Sequence, residues 1–267
     1  MDETESKQSA KYSVPALDKA VAILELLAQS KDGASFGEII KELQLPKTSV
    51  YTILNTLEGY GFVRKRSDNA YDLGLKLYSL GMTALRKINV DTSIVPYLEK
   101  LRDSTHFTVH LCAYENGETV LLEKIEGPGM VRFQSIVGER KRMNTTGCGK
   151  AAAAYLGEED LELMFSKGLN CFTANSISTE PAFRAHLKKI REFGYAIDDE
   201  EGEIGVRCIG VPLFMSDARV FGSISLTTIK SNLSLQQAPE YAEQLMAVGG
   251  DISRLLGYKG EYPRHRG

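Results

Sequence analysis

The stretch Pro46-Lys47-Thr48-Ser49-Val50-Tyr51-Thr52-Ile53-Leu54-Asn55-Thr56-Leu57-Glu58-Gly59-Tyr60-Gly61-Phe62-Val63 decides the front of the chain. Pro46 suits the first position of a helix, because proline lacks an amide hydrogen that the first turn cannot use. Val50, Leu54 and Leu57 recur at helical spacing and form a buried stripe, Gly61 ends the helix, and Phe62-Val63 starts a strand. Upstream, Ser35-Phe36-Gly37-Glu38 has the spacing of a capping box and opens a shorter helix with Phe36, Ile39, Ile40 and Leu43 turned inward. Before it, Leu17, Val21, Leu24 and Ala28 define a first helix that Gly33 stops. Downstream, Ser67-Asp68-Asn69 turns the chain and Ala70–Leu73 returns it. Three short helices and a two-stranded ribbon are the parts of a winged helix-turn-helix.

The edge of the third helix opposite its apolar stripe carries Thr48, Tyr51, Thr52 and Asn55, with Ser49 beside them. Short hydrogen-bonding groups on one helix face suit the base edges of a major groove about 12 Å wide. Lys47 stands at the helix start for a phosphate, the amides near Ser35 offer a second phosphate site, and Arg64-Lys65-Arg66 on the wing faces the DNA backbone or minor groove. A lone helix of this kind is equally an ordinary solvated face. The ordered set of capping box, proline-initiated helix and basic hairpin favours double-stranded DNA. Ten Lys and Arg stand against eight Asp and Glu between Tyr12 and Ile88, and twenty against twenty-four from Asn89 onward. So few cations make one head a weak binder, which predicts a homodimer or homotetramer on a palindromic operator.

The whole chain has 267 residues, net charge −3 and 43% hydrophobic content, enough for real cores. No run approaches the ~20 apolar residues of a spanning helix, since the best one, Val21–Ala28, contains Glu25. Met1–Ser13 is polar and acidic and has no signal-peptide core, and Cys112, Cys148, Cys171 and Cys208 are scattered. Both features point to a reducing, cytoplasmic setting and away from membrane and export. Leu75, Tyr78, Met82 and Leu85 make a stripe with no partner inside the small head. A helix at Ile94–Arg102 follows, and then Val109, Leu111 and Ala113 alternate with His110, Cys112 and Tyr114 before the Asn116-Gly117 hairpin turn and the strand Val120–Ile125. Helices at Ala151–Leu156, Glu158–Phe165 and Pro181–Phe193 and strands near Cys208–Phe214 and Phe221–Thr227 complete an α+β body with an antiparallel sheet. The expected organisation is a disordered tail at 1–11, a winged helix-turn-helix at 12–73, a linker helix at 74–90 and a ligand-binding body at 91–260.

In the body, Thr145-Thr146-Gly147-Cys148-Gly149-Lys150 precedes the Ala151–Leu156 helix. Glycines there allow a ligand close to the first amides, with hydroxyls adding hydrogen bonds; the alternative is a tight helix entry with no ligand. A P-loop needs glycine at Asn144 and a hydroxyl at Ala151, so ATP is rejected. Asp198, Asp199, Glu200, Glu201 and Glu203 read as a solvated turn in preference to a metal cluster, and the strand pattern around His110 defeats a helical His106/His110 ligand pair. Nothing in the sequence sets a histidine beside Cys148 to make it a nucleophile.

The segments Leu17–Leu27, Pro46–Tyr51, Leu57–Val63 and Tyr71–Gly74 resemble the head of bacterial IclR-family regulators. Gly194–Glu201 with Gly205–Pro212 resembles that family's C-terminal signature. The resemblance runs from about residue 12 to 258 and implies a GAF-like effector domain for a small carboxylate, with a wall shared by Met130, Gly147, Cys148, Asp198, Cys208, Ser225 and Thr227. Many members carry Arg after the Val-Tyr pair, where this chain has Thr52, so the operator's base preference does not transfer. Many have Pro-Leu-His in place of Arg142-Met143-Asn144, which alters the pocket's charge. The ending from Gly257-Tyr258 to Tyr262-Pro263 resembles the sugar-acid-responsive members. The resulting reading is a ligand-responsive transcriptional regulator, a repressor of a catabolic operon that needs no cofactor, in which the effector shifts the spacing of the heads through the Leu75–Leu85 helix. The alternatives are a GAF-like enzyme using Cys148 or the acidic loop, and a redox sensor using the Cys148 and Cys208 thiols.

Overall fold

The computed structural model describes residues 13–87 and 93–263. The expected tail at 1–11, residues 88–90 of the expected linker and His265 lie outside them. The chain divides into two compact units, one ending at Asn89 and the other starting at Val90, and each is described by itself.

The first unit contains α1 (Pro15–Gln29), β1 (Ala34–Ser35), α2 (Phe36–Leu43), α3 (Lys47–Gly59), β2 (Val63–Lys65), β3 (Ala70–Leu73) and α4 (Leu75–Lys87). Its core is Ile23, Leu27, Ile39, Val50, Leu54, Val63 and Tyr71, so the apolar stripes of three helices close over the ribbon. The capping box at α2 is complete: Ser35 Oγ accepts from the Glu38 amide, and the Glu38 carboxylate accepts from the Ser35 amide at 2.7 Å. A third strand, missing from the sequence reading, joins the wing, because Ala34 and Ser35 pair antiparallel with Tyr71 and Ala70. Two residues are too short for a periodic signal. On α4, Leu75 and Tyr78 are exposed and Met82 is half-buried; the Leu85 side chain lies outside the described residues.

The second unit is built on a six-stranded antiparallel sheet in the order β6-β5-β4-β9-β8-β7. The strands are β4 (Thr108–Glu115), β5 (Glu118–Ile125), β6 (Arg140–Arg142), β7 (Ala196–Asp199), β8 (Val206–Phe214) and β9 (Val220–Ile229). Helices α5 (Val95–Thr105) and α9 (Ala238–Leu255) pack together, with Phe107 against Tyr241 at 4.9 Å between ring centroids. Successive strand residues face opposite sides. Val109, Leu111, Ile209, Val211, Ile224 and Leu226 form one fully buried apolar face, and Val211 lies under Gly249 of α9.

The other face of the sheet meets α6 (Gly147–Ala153), which the sequence reading starts four residues later, at Ala151. Outside α6, α7 (Glu158–Ser166) and α8 (Glu180–Phe193) bury Met164, Phe183, Leu187 and Ile190 against Ala151–Ala154. The approach of α6 to β8 is close enough that a Cβ on Gly210 would lie 2.2 Å from the Gly147 carbonyl oxygen, and one on Gly149 would lie 2.3 Å from that of Met143. Gly210 and Gly149 therefore serve the close packing of backbone around α6.

Gly210→Ala is accordingly expected to destabilise the protein by about 1–3 kcal/mol, the usual scale of overpacking. The measurement is a lower urea midpoint at unchanged slope.

Candidate functional site

Two arrangements carry chemistry, one in each unit. In the first, Lys47, Thr48, Tyr51, Thr52 and Asn55 are all exposed on α3, Tyr51 at 61% of its surface, while Val50 and Leu54 opposite them are buried. Ser49 is half-buried. Thr52 Oγ1 donates to the Thr48 carbonyl at 2.9 Å, so its proton is spent inside the helix and it faces solvent as an acceptor. The wing cations already have partners. Arg64 pairs with Asp72 at 2.9 Å, Arg66 pairs with Asp68 at 3.0 Å and donates to the Asp32 carbonyl, and Lys65 lies over the Tyr71 ring. Such exposed pairs are worth only about 0–1 kcal/mol, so a phosphate displaces them readily but gains less than from a free cation.

In the second unit a cavity of about 550 Å³ opens over the polar face of the sheet. Of the wall expected from the sequence, Gly147, Cys148, Asp198, Cys208, Ser225 and Thr227 line it together. Met130 does not. It is 98% exposed, after the Gly127-Pro128-Gly129 turn that carries the chain away from β5, and is corrected to a surface position. The sequence reading missed His110, Cys112, Ser135, Arg140 and Lys141 as wall residues, while it marks Arg142 for its effect on pocket charge. For His110 and Cys112 the signal was present, since they alternate with Val109 and Leu111 and pair across the sheet with Ser225 and Ser223. Of Arg142-Met143-Asn144, only Arg142 reaches the cavity; Asn144 is buried and ties the loop after α7 through Asn170 and Ile177.

A directed chain of hydrogen bonds crosses the floor. Thr227 Oγ1 donates to Cys208 Sγ at 3.3 Å, so it accepts from His110 Nδ1 at 3.1 Å; His110 Nε2 then accepts from Ser135 Oγ at 2.8 Å. Burial, reinforced by the charges of Lys124 and Lys141, lowers the His110 pKa to about 4 and keeps the ring neutral. The Cys208 thiol bonds to the Asp198 carboxylate, which also accepts from the Glu201 amide at 2.9 Å. Burial raises the Asp198 pKa against the pull of the Lys150 charge.

Lys150 is fully buried and donates to Glu201 and to the Ile197 carbonyl, which pins β7, with Asp198 on it, and the loop that follows to α6. Asp199 pairs with Arg207 at 2.8 Å between side chains, and Glu200 pairs with Lys230. Asp199, Glu200 and Glu201 are thus ion-paired within the unit and Asp198 is buried, which corrects the solvated-turn expectation for those four, while Glu203 is exposed as expected. At the rim, Arg142 pairs with Glu118 at 3.0 Å and Lys141 with Glu139 at 3.4 Å.

The His110 geometry sets a pH dependence. Its folded pKa, about 4, lies below the ordinary 6.5, so the folded chain binds fewer protons in that window and loses stability as pH falls from about 6.5 toward 4. His186, also lowered to about 4 by burial and then by Lys150, adds in the same direction. Urea titrations across this range are expected to give His110→Gln a shallower decline than wild type by about 3 kcal/mol. Equal slopes would show that His110 is not held neutral.

Comparison with known proteins agrees with this architecture. The IclR helix-turn-helix domain matches residues 16–67, and the domain described as bacterial transcriptional regulator IclR C-terminal matches residues 82–254. The chain is 32% identical to the HTH-type transcriptional regulator XynR of Escherichia coli K12 over 247 residues, covering 92% of this chain and 98% of that one. It is 28% identical to the HTH-type transcriptional repressor AllR of the same strain over 252 residues, covering 94% and 93%. The crystal structure of Thermotoga maritima IclR superposes with a TM-score of 0.71 at 30% identity, covering 91% of this chain and 99% of that one. Among the described residues no helix is long and apolar enough to cross a membrane. With both family domains matched, and a ligand-sized cavity in the second, the chain belongs to the IclR family of ligand-responsive, DNA-binding bacterial transcriptional regulators.

Proposed function

We propose that the protein is a cytoplasmic repressor of a catabolic operon that reads a palindromic operator through α3 and is released or retained by a sugar acid or similar small carboxylate. The observation that carries the effector class is the cavity wall. It combines hydroxyls from Thr119, Thr145, Ser225 and Thr227 with Arg140, Lys141 and Arg142 at the rim, whose ion pairs with Glu115, Glu139 and Glu118 a polyhydroxy carboxylate would exchange for its own. Leu121, Phe133 and Phe172 supply the apolar remainder that most small-molecule sites need. The repressor assignment leans on the similarity to AllR.

Binding without turnover is the reading of the same site. His110, the cavity's candidate base, has one ring nitrogen engaged by Thr227 and the other by Ser135, leaving neither for a substrate or for Cys148. The head contributes Thr48, Tyr51, Thr52 and Asn55 for base edges, and Ser35, Lys47, Ser49 and Arg64–Arg66 for phosphates. Two heads on a two-fold operator raise a modest single-head affinity, so a homodimer or homotetramer is the working form. The effector acts by favouring one arrangement of the subunits, which changes the separation of the heads.

Gel-shift titration with the protein's own upstream DNA tests the head. Tyr51→Ala and Asn55→Ala are each expected to weaken specific binding about 10- to 100-fold with an unchanged melting temperature. Lys47→Ala is expected to weaken all sequences alike and reduce the salt slope by about 1. Thermal-shift titration with gluconate, galacturonate and simple carboxylates tests the cavity. A stabilisation that grows with ligand as mass action requires supports the effector class, and a flat response across the panel rejects it.

A further inference from the structure

The thiols of the cavity wall are not equivalent. Cys112 and Cys148 sit together in one buried cluster with Leu121, both 8% or less exposed, and both line the cavity. The sheet register explains the juxtaposition. Cys112 on β4 is the cross-strand partner of Ser223, and the Cys148 thiol, on the first turn of α6, reaches the Ser223 carbonyl at 3.9 Å. Cys148 therefore stands over the cross-strand pair to which Cys112 belongs, in the same buried cluster. Cys208, the partner expected from the sequence, is turned to Thr227 and Asp198 instead. Small molecules reach the pair through the cavity mouth, where Gln134, Arg140, Phe172 and Glu203 are exposed.

We propose that Cys112 and Cys148 are an oxidant-responsive pair that a peroxide closes to a disulfide, giving the regulator a second input at its effector cavity. That it acts as an input rests on the effector reading above; the bond itself does not. The two thiols divide the chemistry between them. Burial pushes the Cys148 thiol up, but hydrogen bonds from Cys112 and Ser225 outweigh it and leave Cys148 below the ordinary thiol range. The bond to Cys148, together with burial, holds Cys112 well above that range. Cys148 thiolate is thus the nucleophile. It attacks one oxygen of hydrogen peroxide, forming an S–O bond as the O–O bond breaks, and the departing hydroxide takes up a proton as water. The Cys112 sulfur then attacks the Cys148 sulfenic acid, the S–S bond forms, and hydroxide leaves with the Cys112 proton as a second water. Two thiols are oxidised and one peroxide is reduced to two waters. The new bond ties β4 to the start of α6 across the cavity floor.

The test uses full-length protein carrying Cys171→Ser, which removes the exposed thiol as a source of intermolecular bonds. After treatment with hydrogen peroxide and alkylation under denaturing conditions, the digest is expected to contain one linked species joining the Cys112 and Cys148 peptides, with Cys208 alkylated. Dithiothreitol should reverse it. In Cys112→Ser, Cys148 should stop at a sulfenic acid that dimedone traps; the linkage map of the parent protein stands even if this variant misfolds. Full alkylation of Cys112 and Cys148, a bond from Cys148 to Cys208, or oxygen on Cys148 beside a free Cys112 would each overturn the pair. If the bond forms, its role as an input predicts a change of about fivefold or more in affinity for the upstream DNA, restored by dithiothreitol. An unchanged affinity with the bond in place overturns that role and leaves the effector reading to its own thermal-shift test.

Discussion

A sheet buried on both faces must satisfy every polar group it hides, and in this protein one of those faces is written in polar residues. Apolar side chains on β4, β8 and β9 dispose of the side under α9. The side under α6 carries His110, Cys112, Cys208, Ser223, Ser225 and Thr227, all nearly out of solvent. An unpaired buried hydroxyl or imidazole costs roughly 1–3 kcal/mol, so a face of this kind would be ruinous if it were merely packed. Hydrogen bonds running from Ser135 through His110, Thr227 and Cys208 to Asp198 satisfy several of its members in sequence. The cavity leaves room for a ligand to meet others, including the Ser225 hydroxyl on its wall. A polar face kept open at this cost is a site, and the rest of the second unit holds it in shape.

The holding is done mainly by α6. Its backbone lies against β8 where Gly210 and Gly147 leave no side chain between them, so the first turn sits at the cavity edge. Lys150, one turn further, reaches Ile197 and Glu201 and fastens the loop that follows Asp198. A buried ion pair adds little net stability compared with apolar packing, but breaking one partner away leaves an uncompensated charge. The pair consequently fixes position more than it strengthens the fold, and the fixed groups are those at the cavity wall.

Much of this was legible from residues alone, for identifiable reasons. The helix at Lys47–Gly59 announced itself through Pro46, the Val50/Leu54 spacing and Gly61, all of them local signals, and the Ser35–Glu38 cap closed as its spacing required. The wall from Gly147 to Thr227 was reached through motif resemblance, and only the placing of Ser225 and Thr227 on one side of a strand followed from periodicity. What escaped was long-range. β1 is two residues long and exists because β3 is there to pair with it. Cys112 neighbours Cys148 because β4 pairs with β9, a register that separations of more than a hundred residues conceal. The carboxylates of 199–201 looked solvated because Arg207, Lys230 and Lys150 lie on other elements, or out of reach along the chain. Met130 shows the converse failure: a position carried over by resemblance falls on a turn whose path this sequence sets for itself.

The weakness of the head completes the logic of control. Arg64 and Arg66 are already paired and Thr52 presents only an acceptor, which leaves Lys47, without an ion-pair partner among the described residues, to meet a phosphate. On the proposed function, a single α3 contributes a modest share of operator affinity, and occupancy depends on two heads engaging together. Coupling between a small ligand and a distant site is typically about 1–3 kcal/mol. Set against a head that clung to DNA by a dense array of free cations, such an increment would change little. Set against two modest heads whose joint engagement depends on their separation, it is enough to move the operator between bound and free. On that proposal, a weakly charged reader is the kind that a coupling of this size can move.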